Sequence, residues 1–248
     1  MFADEQMERI RREELELLQL ERLRKIIDWA YDKSAFYQRH FQAHAVKPED
    51  IQSLADVSKL PLMTRDELVG NELEILTLPL SSVVRISRVG GLMKFCTRGD
   101  IRNNVEMMIR ALMAADILRG SVVGIAGDLS DSRLLDVLYA LESIGASVVL
   151  NESHSVETVI SLAEDTLTYK DFKLPAPPEG NLFYQCGCGH HVHEDNFLAE
   201  IVSGELVITT LTAQALPLIR YRTGRTAKKI CEPCPCGRTF TRILFMQN

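Results

Sequence analysis

The cysteine residues of this chain are concentrated in one short region. Five of the six lie between Cys186 and Cys236, within the sequences CGCGHH and CEPCPCG. Glycine and proline in these sequences favour tight turns, and a structural Zn²⁺ site usually takes four thiolate or imidazole ligands from two such turns. We therefore predict one structural zinc ion in the C-terminal part of the chain. Its candidate ligands are Cys186, Cys188, His191, Cys234 and Cys236.

The candidate ligands outnumber the four coordination positions. The spacing leaves Cys186 and Cys188 as alternatives for one position, and Cys231 adds a further thiol to the second turn. Two other interpretations are a catalytic zinc and free thiols in a flexible loop, but thiols crowded into such a loop would be prone to oxidation. A site with four protein ligands would stabilise a small β lobe without activating water. His154 and His193 are predicted to be surface residues.

The bulk properties of the chain exclude several classes of protein. It has 248 residues, a net charge of -6 and 46% hydrophobic residues, which predicts a folded protein with no general attraction to nucleic acid or anionic membranes. The N-terminus is charged throughout and resembles neither a signal peptide nor a spanning helix. We expect a cytoplasmic protein that does not enter the membrane. In that compartment clustered cysteines indicate a metal site more than disulfides.

The hydrophobic pattern divides the chain into three regions. Residues 1–80 contain a long amphipathic helix and then short helices, which predicts a helical wrapping segment. Residues 81–175 alternate strands and helices, which predicts an α/β core with a partly parallel sheet and flanking helices. Residues 180–248 form the zinc-stabilised β lobe. The proline-rich sequence KLPAPPEG at 173–180 is predicted to be a linker or the edge of a domain.

Individual elements can be placed within these regions. The core is predicted to contain, in order, a strand at 83–87, a helix after Asp100, a strand at 121–126, a helix from Asp131 and a strand at 146–150. In the β lobe, alternating residues at 197–202 and 205–210 flank Ser203-Gly204, which predicts a β-hairpin. Further short strands are expected at 219–222 and 226–230.

Four motifs follow one another in the zinc-rich region. They are GHHVHEDNFL from Gly189, GELVITTLT from Gly204, PLIRYRTG from Pro217 and CPCGRT from Cys234. This series closely resembles phenylacetate-CoA ligases and related adenylate-forming synthetases. Residues 23–41, 60–61 and 83–86 resemble the N-terminal part of the same family. The zinc ligands of that family agree with those predicted above from spacing.

The resemblance implies a two-step reaction. Such enzymes convert ATP and a carboxylate into an acyl-adenylate and pyrophosphate, and coenzyme A then takes the acyl group, so ATP, Mg²⁺ and CoA are the implied cofactors. Pyrophosphate is held by a loop rich in Ser, Thr and Gly that ends in lysine. The corresponding stretch here, SRVGGLMKFCT, lacks the run of hydroxyls. Gly90, Gly91 and Lys94 are the candidate remnants of a phosphate loop.

Three further requirements of that reaction are unmet. The family's ribose-binding aspartate follows Tyr-Arg-Thr-Gly, whereas this chain has Arg225, which cannot accept a hydrogen bond. The tract at 150–183 is too short for the central region with its aromatic-Gly-Thr-Glu motif, and the chain stops at Asn248 without room for the family's C-terminal lid. We therefore expect a shortened, degenerate relative that has lost adenylation, a pseudoenzyme without catalytic residues that acts in binding or regulation.

Other functions remain open as hypotheses. The chain could be an active acid-CoA ligase, alone or completed by a partner subunit. Loss of the central region should uncover apolar faces of the sheet, so we expect a homodimer, and a full-length ligase homologue is a possible partner. Nucleic-acid binding is not expected, because we interpret the basic residues around the second cysteine turn as part of the scaffold. These are Arg220, Arg222, Arg225, Lys228, Lys229, Arg238 and Arg242.

Overall fold

The N-terminal part of the protein is helical. The computed structural model describes residues 1–150, 156, 158–170, 172–230 and 232–246. The helices of this part are α1 (Glu5–Glu8), α2 (Arg12–Lys33), α3 (Ala35–Ala43), α4 (Arg65–Leu68) and α5 (Glu72–Ile75), with 3₁₀ turns at Pro48–Asp50, Leu54–Lys59 and Leu80–Ser82. The predicted long helix is divided at Ser34, which has an extended backbone and accepts a hydrogen bond from Tyr37 N as the N-cap of α3. Helix α4 begins with a capping box formed by Thr64 and Glu67.

The strand predicted at 83–87 belongs to a hairpin, not to the parallel sheet. Strand β1 (Arg85–Val89) pairs antiparallel with β2 (Leu92–Cys96), and the two form a sheet of their own. The turn between them consists of Gly90 and Gly91, which have φ angles of +54° and +84°. Two positive φ angles are what a tight two-residue hairpin turn requires, and glycine adopts them without strain.

Helices and strands alternate in the core as predicted. The elements are α6 (Arg98–Ala114), β3 (Val122–Ala126), α7 (Ser132–Ile144), β4 (Ser147–Leu150), β5 (Thr158–Ala163), β6 (Thr166–Tyr169) and β7 (Phe172–Pro175). Their sheet has the order β4-β3-β5-β6-β7, with β3 parallel to β4 and β5 and the remaining pairs antiparallel. The predicted partly parallel sheet with flanking helices is therefore confirmed.

Both long helices of the core pack on one face of this sheet. Ala111 of α6 and Val137 of α7 meet Ile160 and Leu167 around one apolar space. Successive side chains of a strand point to opposite faces, so the neighbours of these buried residues lie on the other side. On that side Val122 is 51% exposed.

The C-terminal part forms a six-stranded antiparallel sheet. Its strands are β8 (Phe183–Cys186), β9 (Gly189–Val192), β10 (Phe197–Val202), β11 (Glu205–Thr210), β12 (Tyr221–Ile230) and β13 (Arg242–Phe245), in the order β10-β11-β12-β13-β9-β8. The predicted hairpin of β10 and β11 is confirmed with its boundaries. The two short strands predicted after it form one strand, because a bulge near Gly224, with a φ of +71°, keeps β12 paired with β11.

The proline-rich segment is packed instead of forming an exposed linker. Its first residues belong to β7, Ala176 is 2% exposed, and Arg133 Nη1 donates a 2.8 Å hydrogen bond to the Ala176 carbonyl. One continuous hydrophobic core extends from α2 through both large sheets. Within the residues that the structure describes, no helix is long and apolar enough to cross a membrane.

Candidate metal centre and ligand cleft

Four of the five predicted zinc ligands lie together. Cys186 ends β8, His191 lies on β9, and Cys234 and Cys236 come from the turn before β13. The Sγ atom of Cys186 is 3.4 Å from His191 Nε2 and 3.6 Å from Cys234 Sγ, and Cys236 Sγ is also 3.4 Å from His191 Nε2. All four ligand atoms lie within 4.8 Å of one another.

These spacings suit a tetrahedral zinc ion. Bond lengths of about 2.3 Å to sulfur and about 2.0–2.1 Å to nitrogen imply S···S edges of about 3.8 Å and S···N edges of about 3.5 Å. His191 Nδ1 lies 2.7 Å from the Phe240 carbonyl oxygen, which fixes the ring and directs Nε2 to the thiols. Burial lowers the pKa of His191 to about 4, so the imidazole is in the neutral form that binds metals.

The structure separates the two cysteines that spacing left as alternatives. Cys186 is buried within the cluster, whereas Cys188 is exposed in the turn between β8 and β9 and lies outside the four-residue group. The backbone N–H of Cys188 donates to Cys186 Sγ over 3.3 Å. Cys188 therefore supports the cluster through its backbone N–H and not through its thiol. Cys231 and His154 are outside the described residues.

Neighbouring side chains hold the two turns in place. Arg242 donates to the carbonyl oxygens of Cys188, at 3.1 Å, and Glu232, at 2.9 Å, and so connects the two cysteine turns. The ring of Tyr184 stacks on His191 with centroids 5.1 Å apart. These contacts surround the cluster with fixed groups, as expected for a site in which the metal ligands must keep their orientation.

His193 is buried, so its prediction as a surface residue is wrong. Its side chain is 0% exposed, and Nδ1 lies 3.0 Å from Arg110 Nη1. Arg110 in turn makes two hydrogen bonds to Asp195, of 2.9 and 3.1 Å. Burial lowers the pKa of His193 well below its usual value, and the charge of Arg110 adds to this effect. The histidine is therefore a neutral acceptor that helps to hold Arg110 between α6 and the C-terminal sheet.

A cleft lies between β2, α6 and the C-terminal sheet. Its volume is about 720 Å³ including the opening to solvent. Apolar walls come from Leu92, Met107 and Phe197, and polar groups come from Lys94 and Asn104. Helix α6 begins at this cleft because the Thr97–Asp100 capping box fixes its first turn.

The three candidate phosphate-loop residues do not lie together in this cleft. Lys94 lines it, whereas Gly90 and Gly91 form the β1–β2 turn and are not among the lining residues. A Cβ atom on Gly90 would lie 2.4 Å from Pro178 Cγ, and Arg65 Nη2 donates to the Gly90 carbonyl. The glycine turn is thus closed against neighbouring residues.

Arg225, the residue that follows Tyr-Arg-Thr-Gly, forms an ion pair within the fold. Arg225 Nη1 lies 3.4 Å from Glu179 Oε2, and the Glu179 side chain is only 3% exposed. Glu179 also lines the cleft, and its charge adds to the effect of burial in raising the pKa of Tyr221 to about 12. Sequence reasoning missed Glu179. The available signal was a single acidic residue in Pro-Pro-Glu-Gly just before β8.

Comparison with known sequences gives a consistent answer. No family model matches the chain. It is 24% identical to the phenylacetate-coenzyme A ligase of Thermus thermophilus over 320 positions, which cover 98% of the chain and 72% of the relative. The Escherichia coli enzyme of the same name is 25% identical, with 93% and 71% covered. The resemblance to phenylacetate-CoA ligases is confirmed. Because the first alignment is longer than the 248-residue chain, the relative carries internal residues without counterparts here.

Solved structures show the same fold. A 2-hydroxyisobutyryl-CoA ligase in the postadenylation state superimposes with a TM-score of 0.80 at 13% identity, covering 97% of this chain and 69% of that one. An open conformation of that ligase, in complex with 2-HIB-AMP and CoA, gives a TM-score of 0.76. These neighbours are acyl-CoA ligases of the adenylate-forming family. The chain therefore has the fold of these ligases.

Proposed function

We propose that this protein binds a small ligand on an adenylate-forming scaffold and does not itself form adenylates. The observation that most supports this proposal is the ion pair between Arg225 and Glu179. In the resembled family a carboxylate at the position of Arg225 accepts hydrogen bonds from the ribose hydroxyls. A guanidinium has only donors, and this one is engaged by a buried carboxylate in the cleft.

The glycine turn of β1 and β2 supports the same proposal. A phosphate loop needs several backbone N–H groups that converge on an open space. Here the turn has only two residues, and Pro178 lies against Gly90. An ATP molecule would therefore lack both the phosphate contact and the ribose contact.

The cleft itself supports a small acid as the ligand. Its walls are largely apolar, and Lys94 supplies a cation that can pair with a carboxylate. We propose a carboxylic acid with an apolar body, bound without activation by ATP. The relatives are phenylacetate-coenzyme A ligases, which makes phenylacetate the first acid to test.

Calorimetry tests this proposal directly. We expect no heat with ATP and Mg²⁺, corresponding to a Kd above about 1 mM, and measurable binding of phenylacetate or a related acid. Lys94→Met should weaken binding of the acid, whereas Lys173→Met, at an exposed position outside the cleft lining, should not. Micromolar ATP binding, or release of pyrophosphate with any acid, would contradict the proposal.

A second candidate function is a ligase completed by another chain. The observation in its favour is a cleft on a chain whose fold is shared by a ligase solved in complex with R3-HIB-AMP. A full-length ligase homologue would then supply the missing nucleotide contacts. Pyrophosphate release that appears only when such a homologue is added would support this alternative, and co-purification would identify the pair.

We also propose that the Cys186–His191–Cys234–Cys236 group binds one structural Zn²⁺. All four coordination positions come from the protein, so no position is open for water or substrate. The ion would connect β8 and β9 to the turn before β13 and so stabilise the C-terminal sheet.

The contacts of the basic residues around the second cysteine turn support a function that does not involve binding of nucleic acid. Five of the seven have partners within the fold. Arg220, Arg222, Arg225 and Arg238 pair with Glu200, Glu205, Glu179 and Glu8, and Arg242 donates to two carbonyl groups. Charges that are neutralised internally contribute little to an electrostatic surface for phosphates.

A further inference from the structure

The first ten residues of the chain pack against the turn that carries the metal ligands. We call residues 1–10 the N-terminal strap and residues 234–239 the metal turn. Arg238 donates from Nε to Glu8 Oε2 over 2.5 Å and from Nη2 to the Met1 carbonyl over 2.6 Å. Thr239 N donates to the Glu8 carbonyl over 3.0 Å, and Arg9 Nε donates to the Gly237 carbonyl over 3.4 Å.

The centre of this contact is buried. Glu8 is 0% exposed and Arg238 is 7% exposed, and the Arg238 guanidinium lies 4.6 Å from the centre of the Phe2 ring. A buried ion pair is stable only while both partners keep their geometry, because either charge alone would be left without water or a counter-charge. Docking of the strap therefore depends on the position of Arg238.

The strap cannot keep its own structure. Helix α1 has only four residues, Glu5–Glu8, and an isolated helix of that length is not stable in water. The position of Arg238 depends in turn on the metal turn, in which Cys234 and Cys236 belong to the four-residue metal group. Gly237 has a φ of +80° and donates to the Cys234 carbonyl over 3.0 Å.

We propose that the metal turn is the docking site of the N-terminal strap and that loss of the metal releases the strap. The inference rests on the proposed zinc site. With zinc bound, the turn presents Arg238, Thr239 and the Gly237 carbonyl in the arrangement that Glu8 and Arg9 require. Without zinc, the turn loses its two anchored thiolates, Arg238 moves, and α1 loses the contacts that keep it folded.

Hydrogen exchange measured by mass spectrometry on the full chain tests this proposal. The reporters are the amides of Glu8 and Arg9, which donate to the carbonyls of Asp4 and Glu5 inside α1. Removal of zinc by a chelator should raise their exchange rates on the order of a hundredfold, the effect expected when a buried ion pair is lost. The amides of β3 should still exchange much more slowly than those of α1.

Two variants in the same short helix provide the control. Glu8→Ala should release the strap even with zinc bound, whereas Gln6→Ala, which changes an exposed residue of α1 that makes none of the docking contacts described above, should leave it docked. Because coupling between two sites is reciprocal, Glu8→Ala should also weaken zinc binding in competition with a chelator. Equal zinc affinity in both variants would contradict the coupling.

The possible outcomes separate this inference from the zinc proposal. A protein that contains no zinc by elemental analysis overturns both. A protein that loses zinc on chelation while α1 exchanges at an unchanged rate overturns the release alone. If the amides of β10 and β11 come to exchange as fast as those of α1, the whole sheet opens when the metal leaves, and this result would also overturn a local release.

Discussion

At the residue scale, the cluster of candidate metal ligands was the most predictable feature of the chain. Spacing and residue type predicted that Cys186, His191, Cys234 and Cys236 belong to one group. Three pairs of their ligand atoms, each including a thiol sulfur, lie 3.4 to 3.6 Å apart in the structure. Spacing could not choose between Cys186 and Cys188. That choice depends on where β8 ends, because the last residue of the strand faces the cluster and the turn residue faces solvent.

A pair of cysteine variants checks this assignment. We expect Cys186→Ser to abolish stoichiometric zinc and to lower the free energy of unfolding by more than about 3 kcal/mol, in the upper range for single substitutions. Cys188→Ser removes an exposed thiol two positions away and should retain zinc and stability. Zinc content by mass spectrometry and urea unfolding measure both effects. Retention of zinc by the first variant, or its loss from the second, would contradict the assignment.

Other residues could not be placed from the sequence because their roles depend on contacts between distant segments. Glu179 stands in a proline-rich stretch that predicts a linker, and only folding brings it to Arg225. His193 lies just outside the clustered thiols and was therefore predicted to be a surface histidine, although it is fully buried against Arg110. Neither contact leaves a pattern in the local sequence.

At the scale of elements, strands were predicted best where the turn between them has characteristic turn residues. Ser203-Gly204 gave the β10–β11 hairpin with its boundaries. The turn between β5 and β6 was missed, because it consists of Glu164 and Asp165, which have positive φ angles without being glycine. The Gly90-Gly91 turn carried a clear hairpin signal, but the resemblance to a phosphate loop gave those glycines another interpretation.

The β1–β2 turn offers a test at this scale. We expect Gly90→Ala to destabilise the protein more than Gly70→Ala. Both positions have positive φ, which costs a non-glycine residue roughly 1–2 kcal/mol, but only at Gly90 would the new methyl group meet another residue, Pro178. Overpacking adds about 1–3 kcal/mol. Urea unfolding of the two variants measures the difference, and equal losses would mean that the turn is not held against Pro178.

At the scale of the whole molecule, the five-stranded sheet has helices on one face only among the described residues. Sheets with parallel strands are usually covered on both faces. The other face includes Val122, which is 51% exposed, and the half-buried Val149 and Val159. The sequence predicted the partly parallel sheet, but a single chain gives no pattern that identifies what covers its second face.

We propose that a second copy of the chain covers this face, as expected from the sequence. Light scattering should then give twice the chain mass of 27.9 kDa. Val122→Lys places a charge on this face and should shift the protein to monomers, whereas Leu17→Lys, at an exposed position on α2, should not. A monomeric mass for the unchanged protein would contradict the proposal.

The contact between Gly90 and Pro178 also bears on how the two segments that contain these residues could be lengthened. The two residues belong to segments that the family resemblance treats as separate losses, the phosphate loop and the central region. Because a single added carbon at Gly90 would already lie 2.4 Å from Pro178, a longer loop on one side would need room from the other. An insertion at the β1–β2 turn and an insertion around Pro178 would therefore compete for the same space, so either one would need a compensating change in the other segment.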